Sequence, residues 1–370
     1  MNIIQPKYEI IEQQYNNLLE DLYKHIEKCG RTCYKSEDKI TENSYLKFVN
    51  MLVNSNHGAM LEHGTVYLTI PIGTPMDDPQ YMWKHDIVDF FSKNAYSKVK
   101  EKTINKTIDV EIKGYGMKTQ ASAQFYFITT NWRVIIENKE LEIAKYFYNN
   151  YKIEKDTLKN SVLQWMTSPT KEHEKRYTVK FTCNIGVSRE FNRHRKDSIG
   201  EESTRYCNYS KEKFGGELNV IKPTWVDQKD VDLFKNLGLD IFKYCYKIYN
   251  KEDQNEFTTI DYWLFSCLAS EYSYLNLIRL GCTAQQAREV LNLSTKTELV
   301  HTAFVSDWCH FFNLRALGTT GAPHSSAKEL AWPLMEDFMN KEYIKLDWID
   351  KEKYAQILDK YTNIEDYIKL

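Results

Sequence analysis

Between Arg193 and Tyr206 the chain reads Arg-His-Arg-Lys-Asp-Ser-Ile-Gly-Glu-Glu-Ser-Thr-Arg-Tyr, a block with almost nothing that a hydrophobic core could use. Three arginines and a histidine beside two adjacent glutamates, Glu201 and Glu202, suit a planar, anionic ligand. Glu190 and His194 are four apart and share a face if the stretch is helical, whereas Arg193 and Arg195, two apart, diverge toward different ligands. If residues 203–205 are extended, Ser203 and Arg205 point to one side. A hydroxyl beside a guanidinium suits a phosphate, because arginine offers a two-pronged fork and serine adds a short donor. A lone Arg-His-Arg reads as a solvated turn; the density of apt residues over the whole block lifts it above that reading.

The rest of the chain limits what that chemistry serves. At 370 residues, with 42% hydrophobic and 27% charged, it has the make-up of a soluble globular enzyme. Its 49 Lys+Arg against 51 Asp+Glu leave a net charge of −2, unlike the basic balance of a general nucleic-acid binder. The cysteines, at 29, 33, 183, 207, 245, 267, 282 and 309, form no CxxC pair, so neither a zinc site nor a redox motif is written and no metal is expected. Met1 to Ile10 lack the basic start and apolar run of a signal peptide, and no stretch approaches the ~20 apolar residues of a membrane span. The expectation is a cytoplasmic protein with reduced thiols and neither membrane nor nucleic acid as partner.

The elements that position the block follow from periodicity. Tyr8 to Lys28 predicts a helix ending in Gly30. A second helix is capped by Asn43, with Leu46, Val49, Leu52 and Val53 as its apolar set. Val66 to Ile70 alternates as a strand closed by Gly73-Thr74-Pro75, and Tyr177 to Ile185 as another. The latter leads through Gly186 into the short helix bearing the basic cluster. Between them lie a strand candidate at Gln124 to Thr130 and a helix candidate at Trp132 to Tyr151. Farther on, Asp261 to Leu280 predicts a mostly buried helix. Capping boxes at Thr283 and Ser326 open two more, the first presenting Arg288. Thr297 to Val305 reads as a strand feeding a helix from Ser306 to Leu317.

The block resembles the signature of the flavin-dependent thymidylate synthases, met here by Arg193, His194, Arg195, Ser198, Glu201, Ser203, Arg205 and Tyr206. It departs at Gly200, where the family usually has Asn, so that the turn is kept but a side-chain hydrogen bond lost. It departs again at Glu190, where many members carry Gln. Leu61-Glu62-His63, with His57 before it, is similar to the opening of the family's first long strand. Gln285 to Leu291 resembles its Glu-x-Ala-Arg-x-Val-Leu, and Trp308 to Arg315 its closing Leu-Arg helix. What the resemblance implies is an α/β (α+β) ThyX-like fold, a central mostly antiparallel sheet flanked by helices. Residues 1–370 would form a single domain with 76–175 as an inserted elaboration. It also implies FAD as cofactor, NADPH and methylenetetrahydrofolate as co-substrates, and dUMP as the acceptor, methylated to dTMP by a homotetramer with active sites between subunits.

By the same resemblance His57, Arg193, His194, Arg195, Glu201 and His310 contact FAD, with Arg193 shared with the nucleotide. Glu190, Glu202, Ser203, Arg205 and Arg288 frame dUMP. Arg315 favours loss of the uracil N3 proton, as a permanently charged guanidinium in a water-poor pocket would. Where the family has Asn-x-Arg before its closing helix, this chain has Phe304-Val305-Ser306; Asn131 and Arg133 echo the missing motif and are candidates for the flavin instead. Cys207 and Ser203 lack an activating base and read as packing or binding residues, not nucleophiles. Two rival functions remain: a flavin-dependent pyrimidine hydroxymethylase, and a non-catalytic nucleic-acid-binding module using the Arg-His-Arg cluster.

Overall fold

A computed structural model of the protein describes residues 1–73, 81–112, 115–138, 162–236 and 257–370, with 243, 246–248 and 250 between the last two stretches. In chain order the elements are β1 (Asn2–Ile4), β2 (Lys7–Ile11), α1 (Leu18–Tyr34), α2 (Ser44–Asn54), β3 (Thr65–Ile72), α3 (Tyr81–Lys93), β4 (Lys98–Ile112), β5 (Tyr115–Asn131), α4 (Trp132–Glu137), β6 (Arg176–Asn184) and α5 (Ile185–Phe191). There follow β7 (Ser198–Glu201), β8 (Asn219–Ile221), α6 (Gln228–Asn236), α7 (Thr259–Arg279), α8 (Ala284–Ala287), β9 (Lys296–Phe304), α9 (Val305–Phe312), α10 (Ser325–Asn340), α11 (Lys351–Lys360) and α12 (Ile364–Lys369).

Two antiparallel sheets organise these elements. One has the order β2-β6-β9-β7 and the other β3-β5-β4, while β1 and β8 make a small parallel pair. In β9 every residue after Lys296 is buried, the mark of a strand covered on both faces. Beneath β6 and β9, Phe181, Leu299, Trp308, Phe311, Phe312, Trp332 and Phe338 form one apolar core with α9 and α10. A second core joins α1 and α2 to β3 and β5 through Leu22, Ile26, Phe48, Leu52, Leu68 and Ile128. This is the mixed α/β, largely antiparallel architecture that the sequence predicts, with its strands divided between separate sheets.

Several boundaries differ, each for a local reason. The predicted helix from Tyr8 to Lys28 is instead β2 followed by α1. Gly30 does not end α1 but lies inside it, where a Cβ would come within 2.7 Å of the Phe48 ring. In α2 the buried set is Tyr45, Phe48, Val49 and Leu52, while Leu46 is exposed. Asn43 precedes α2 without a capping hydrogen bond, and α10 is capped by the His324 ring, not by Ser326. The helix predicted over Trp132 to Tyr151 is α4, from Trp132 to Glu137; residues 139–151 lie outside the described residues. Within the segment 76–175, β4 and β5 form a long hairpin whose second strand pairs with β3, Thr65 opposite Asn131 and Ile72 opposite Gln124.

Gly200 answers to a constraint other than a turn. It sits in the extended strand β7, where an added Cβ would meet Cys33 Sγ at 2.8 Å, Met60 Cε at 2.9 Å and His63 Nε2 at 3.1 Å. An asparagine has no room there. Behind it runs a buried polar line: His25 Nε2 lies 3.0 Å from Thr178 Oγ1, Thr178 2.7 Å from Thr302 Oγ1, and Thr302 2.8 Å from His63 Nδ1. It ties α1, β6, β9 and the Gly58–His63 turn together. Burial pushes His25 down to about 3, and holds His63 well below the usual imidazole range.

Two outcomes follow from this packing. Gly200→Ala should lower unfolding stability by about 1–3 kcal/mol, the usual effect of overpacking a tight site, read as a lower urea midpoint at unchanged slope. The buried histidines stay neutral when folded but take protons below about pH 6.5 when unfolded. Stability should therefore be complete near neutral pH and fall as pH drops toward 3. A His25→Gln protein should show a shallower fall in Tm between pH 7 and 5 than the parent; an equal slope would refute the burial argument.

Candidate active site

Asn184, at the end of β6, starts α5 by accepting a hydrogen bond from Val187 N at 2.8 Å. The helix ends by Asn192, and the chain turns back as β7 along β9, with Ser198 opposite Thr302 and Glu201 opposite Leu299. The basic block is thus a turn and an edge strand clamped to the central sheet. Neighbouring residues of α5 face different ways: Ser188 and Arg189 line a cavity, while Glu190 turns toward Arg315.

That cavity, about 610 Å³, gathers Glu201, Glu202, Ser203, Arg205 and Arg288 with Arg189. Residues 204–206 form a turn, not the extended segment predicted, yet Ser203 and Arg205 still reach the same space. The turn is held by Ser203 N donating to Cys33 O at 3.0 Å, and by Tyr206 N and Cys207 N donating to Ser203 O. Glu202 is 3% exposed; it accepts from Lys296 at 2.7 Å and from the Tyr209 hydroxyl at 3.2 Å. Glu201 accepts from the hydroxyls of Ser188 at 2.7 Å and Thr297 at 3.0 Å, and from Asn192 at 3.2 Å. The arginines are differently placed. Arg205 donates only to Gln285, at 3.2 Å, and Arg288 to the Thr204 hydroxyl at 3.5 Å. Neither has a carboxylate partner among the described residues, so both are available to an external anion.

The second grouping centres on Arg315, in the π-helical turn Asn313–Leu317 after α9. Its Nη1 donates to Glu190 Oε2 at 2.8 Å, its Nη2 to the Glu190 carbonyl at 2.9 Å, and its Nε faces His194 Nε2 at 3.4 Å. Burial pushes His194 down to about 4, with the positive surroundings of His301 and Arg315 acting in the same direction. It is a neutral imidazole that accepts from Arg315 through one nitrogen. The exposed His310 ring lies 5.9 Å from it. His310 and Arg315 therefore both converge on His194.

Arg193 and Arg195 lie beyond the end of α5, both exposed and without an ion pair among the described residues. His57 is exposed as well, its Nδ1 3.2 Å from the Tyr34 hydroxyl. Arg133 packs on Gly58, next in sequence, and pairs with Glu62 at 2.6 Å and Glu137 at 2.7 Å. Asn131 is 1% exposed and caps α4, accepting from Val134 N. The fold brings Arg133 beside Gly58, next in sequence to His57. It leaves Asn131 facing inward.

Residues not singled out from sequence also shape the site. Arg189 lines the cavity; its four-residue spacing from Arg193 was the available cue. Asp197, inside the block, binds buried His301 at 2.6 Å. Lys296, which holds Glu202, had no cue at all. Cys207 is buried, and burial raises its thiol to about 12, which suits packing and not attack. Among the described residues no His/Cys/Asp/Glu cluster suits a metal, and no helix is long and apolar enough to cross a membrane.

Comparison with known proteins places this geometry. None of the curated proteins matches the sequence. Among solved structures the chain is similar to a UMP/dUMP methylase, PolB from Streptomyces cacaoi, bound with 5-Br dUMP. The identity is 13% and the TM-score 0.36, over 92% of this chain and 93% of that one. It is also similar to the flavin-dependent thymidylate synthase ThyX from Helicobacter pylori complexed with FAD and dUMP, at 16% identity and TM-score 0.31, over 57% and 85%. Likenesses so distant bear no weight on function. The sequence itself is more decisive: residues 127–341, more than half of the chain and the part that carries the whole basic block, match the family described as thymidylate synthase complementing protein (Thy1), and the chain belongs to that family of flavin-dependent thymidylate synthases.

Proposed function

We propose that the protein converts dUMP to dTMP, with FAD as cofactor, methylenetetrahydrofolate as one-carbon donor and NADPH as electron source. The supporting observation is the cavity in which Arg205, Arg288 and Ser203 meet without an acidic counter-ion on either guanidinium. Two unpaired forks and a hydroxyl match the oxygens of a nucleotide phosphate. Glu202, anchored by Lys296, and Glu190 would orient the base, with Arg193 reaching the same nucleotide.

The residues expected to hold FAD suit an anionic dinucleotide. Arg193 and Arg195 carry charge with no ion pair among the described residues, and His57 and His310 are exposed rings, His310 5.9 Å from His194. His194 and Glu201 complete the set, and Arg133 lies one residue from His57 through its packing on Gly58. Asn131 serves as a positioning residue, acting through the cap of α4. FAD, when bound and reduced, supplies the hydride that completes the new methyl group.

The chain's own contribution to the chemistry centres on Arg315. Glu190, the Glu190 carbonyl and His194 take three of its five N–H groups, which fixes the plane of the guanidinium and leaves two N–H groups for substrate. A fixed positive charge beside the uracil favours loss of the N3 proton, and the resulting anion is a better nucleophile at C5 toward the one-carbon unit. No protein nucleophile is involved. Residues 76–175 act as an elaboration of the single domain, and the functional unit is a cytoplasmic homotetramer with sites between subunits.

Purified protein should be yellow with bound flavin. With oxygen excluded, its reduced form should reoxidise only when dUMP and methylenetetrahydrofolate are both added; a colourless protein that takes up no FAD would end the proposal. Product mass distinguishes methyl from hydroxymethyl pyrimidine, which differ by one oxygen. Arg288→Ala should weaken dUMP binding roughly 10- to 100-fold, the loss of a charged hydrogen bond, while FAD content is unchanged. Arg315→Lys should instead lower kcat with dUMP affinity largely kept, since a point charge does not reproduce the planar fork.

A further inference from the structure

A cavity of about 520 Å³ lies outside the site described above, between the turn that follows Arg315 and the C-terminal helices. Leu317, Gly318 and Pro323 form one wall. Gly318 has φ +68°, and an added Cβ would sit 2.7 Å from Pro323 Cδ, so this loop is folded tightly on itself. The opposite wall is one face of α11, where Lys353, Gln356, Ile357 and Lys360 recur at three- and four-residue spacing. The floor is Lys328, in the first turn of α10.

Lys328 is the unusual member. It is 2% exposed, its ammonium donates to the Tyr367 carbonyl at 2.6 Å, and it lies 4.4 Å over the Tyr367 ring. One carbonyl and one ring face leave donors of a three-donor cation unsatisfied and its charge unmatched. No Asp or Glu side chain lines the cavity, and Lys328, Lys353 and Lys360 make no ion pair among the described residues. Lysines elsewhere behave otherwise. In the lysine-rich cavity behind Glu202, Lys35 and Lys180 meet Glu298 at 2.5 and 2.7 Å, and Lys296 meets Glu202 at 2.7 Å. There the protein supplies its own counter-ions. Around Lys328 no carboxylate comes within ion-pair distance among the described residues.

We propose that this cavity is a binding site for a small multivalent oxyanion, a phosphorylated or polycarboxylated molecule held by Lys328 at its base and by Lys353 and Lys360 at its rim. Burial already lowers the Lys328 ammonium, and an anion at hydrogen-bond distance reverses that by matching its charge. The site adjoins the catalytic segment, because the Tyr367 hydroxyl donates to the Ala316 carbonyl at 2.8 Å and Leu317 is shared between the cavity and the Arg315 turn. It does not depend on which reaction the enzyme performs.

Isothermal titration of the full-length protein with pyrophosphate, and separately with citrate, at constant ionic strength tests the proposal. Saturable binding is expected, reduced roughly tenfold or more in Lys353→Gln/Lys360→Gln and in Lys328→Met, as for a lost charged hydrogen bond. The rim pair is solvent-facing, so the double variant keeps the test valid if Lys328→Met folds poorly. Arg288→Ala should retain full pyrophosphate affinity, which separates this site from the nucleotide cavity. Pyrophosphate alone binding identifies a phosphoryl ligand, and comparable citrate binding a general oxyanion site. Absence of saturable binding, or binding abolished by Arg288→Ala and untouched by the lysine changes, would overturn it.

Discussion

Arg176 is the constraint on which the other placements rest. Its guanidinium is buried, and no carboxylate among the described residues makes an ion pair with it. It donates instead to the Glu62 carbonyl at 3.1 Å, Thr65 Oγ1 at 3.3 Å and Ser198 Oγ at 2.8 Å, with the Phe304 ring 5.3 Å away. A buried cation held by neutral groups, its Nε left unbonded among the described residues, is expensive, and burial lowers its proton affinity accordingly. What it secures is a junction. Thr65 opens β3, Ser198 opens β7 and Phe304 closes β9, so one side chain registers both sheets and sets the starting point of the strand bearing Gly200 and Glu201. Ser198, a signature position, is thereby explained by structure: it accepts from Arg176 and donates to the Glu62 carbonyl.

A second pattern separates cations by whether the protein neutralises them. Lys35, Lys180 and Lys296 face Glu298 and Glu202 at short range in partly dry surroundings, where the attraction is strong and the geometry rigid. Burial raises the Glu298 carboxyl, but the three ammoniums outweigh it and hold the group down to about 2. These lysines fix Glu202 in place. Arg193, Arg195, Arg205 and Arg288 have no such partners and stand at the surface or in the cavity mouth. Arg315 is intermediate, paired with Glu190 yet keeping N–H groups to spare. Charge that is paired holds the cavity walls in place, and charge that is unpaired is what the proposed function assigns chiefly to the ligand.

Legibility in the sequence followed the same division. The basic block was readable because ligand chemistry requires particular side chains at close spacing, and Ser203, Arg205 and Arg288 do share one cavity although residues 204–206 turn where an extended run was expected. Strands buried on both faces, such as β6 and β9, were readable from alternation and apolar runs. Of the β4–β5 hairpin only the stretch from Gln124 to Thr130 was, since the rest is rich in lysine and threonine and carries a weak apolar signal. Nor was the inward turn of Asn131, because a helix cap and a ligand contact call for the same side chain. Gly200 was read as a turn residue, but its cause is the approach of Cys33, Met60 and His63 from other elements, which no local pattern encodes.

The state of His194 ties these threads to the chemistry. An imidazole flanked by a guanidinium and by the His301 and His310 rings cannot hold a proton cheaply, and burial adds to the penalty. Its neutrality is what allows Nε2 to accept from Arg315. A protonated ring would repel that arginine and release it from the Glu190 side of the pocket. The position of Arg315 therefore depends on a histidine kept uncharged near neutral pH, and that histidine depends on the Asp197–His301 pair behind it to hold the turn from which it projects. The polar residues around Arg315 thus act in relay, each one facing inward setting the protonation or the plane of the next.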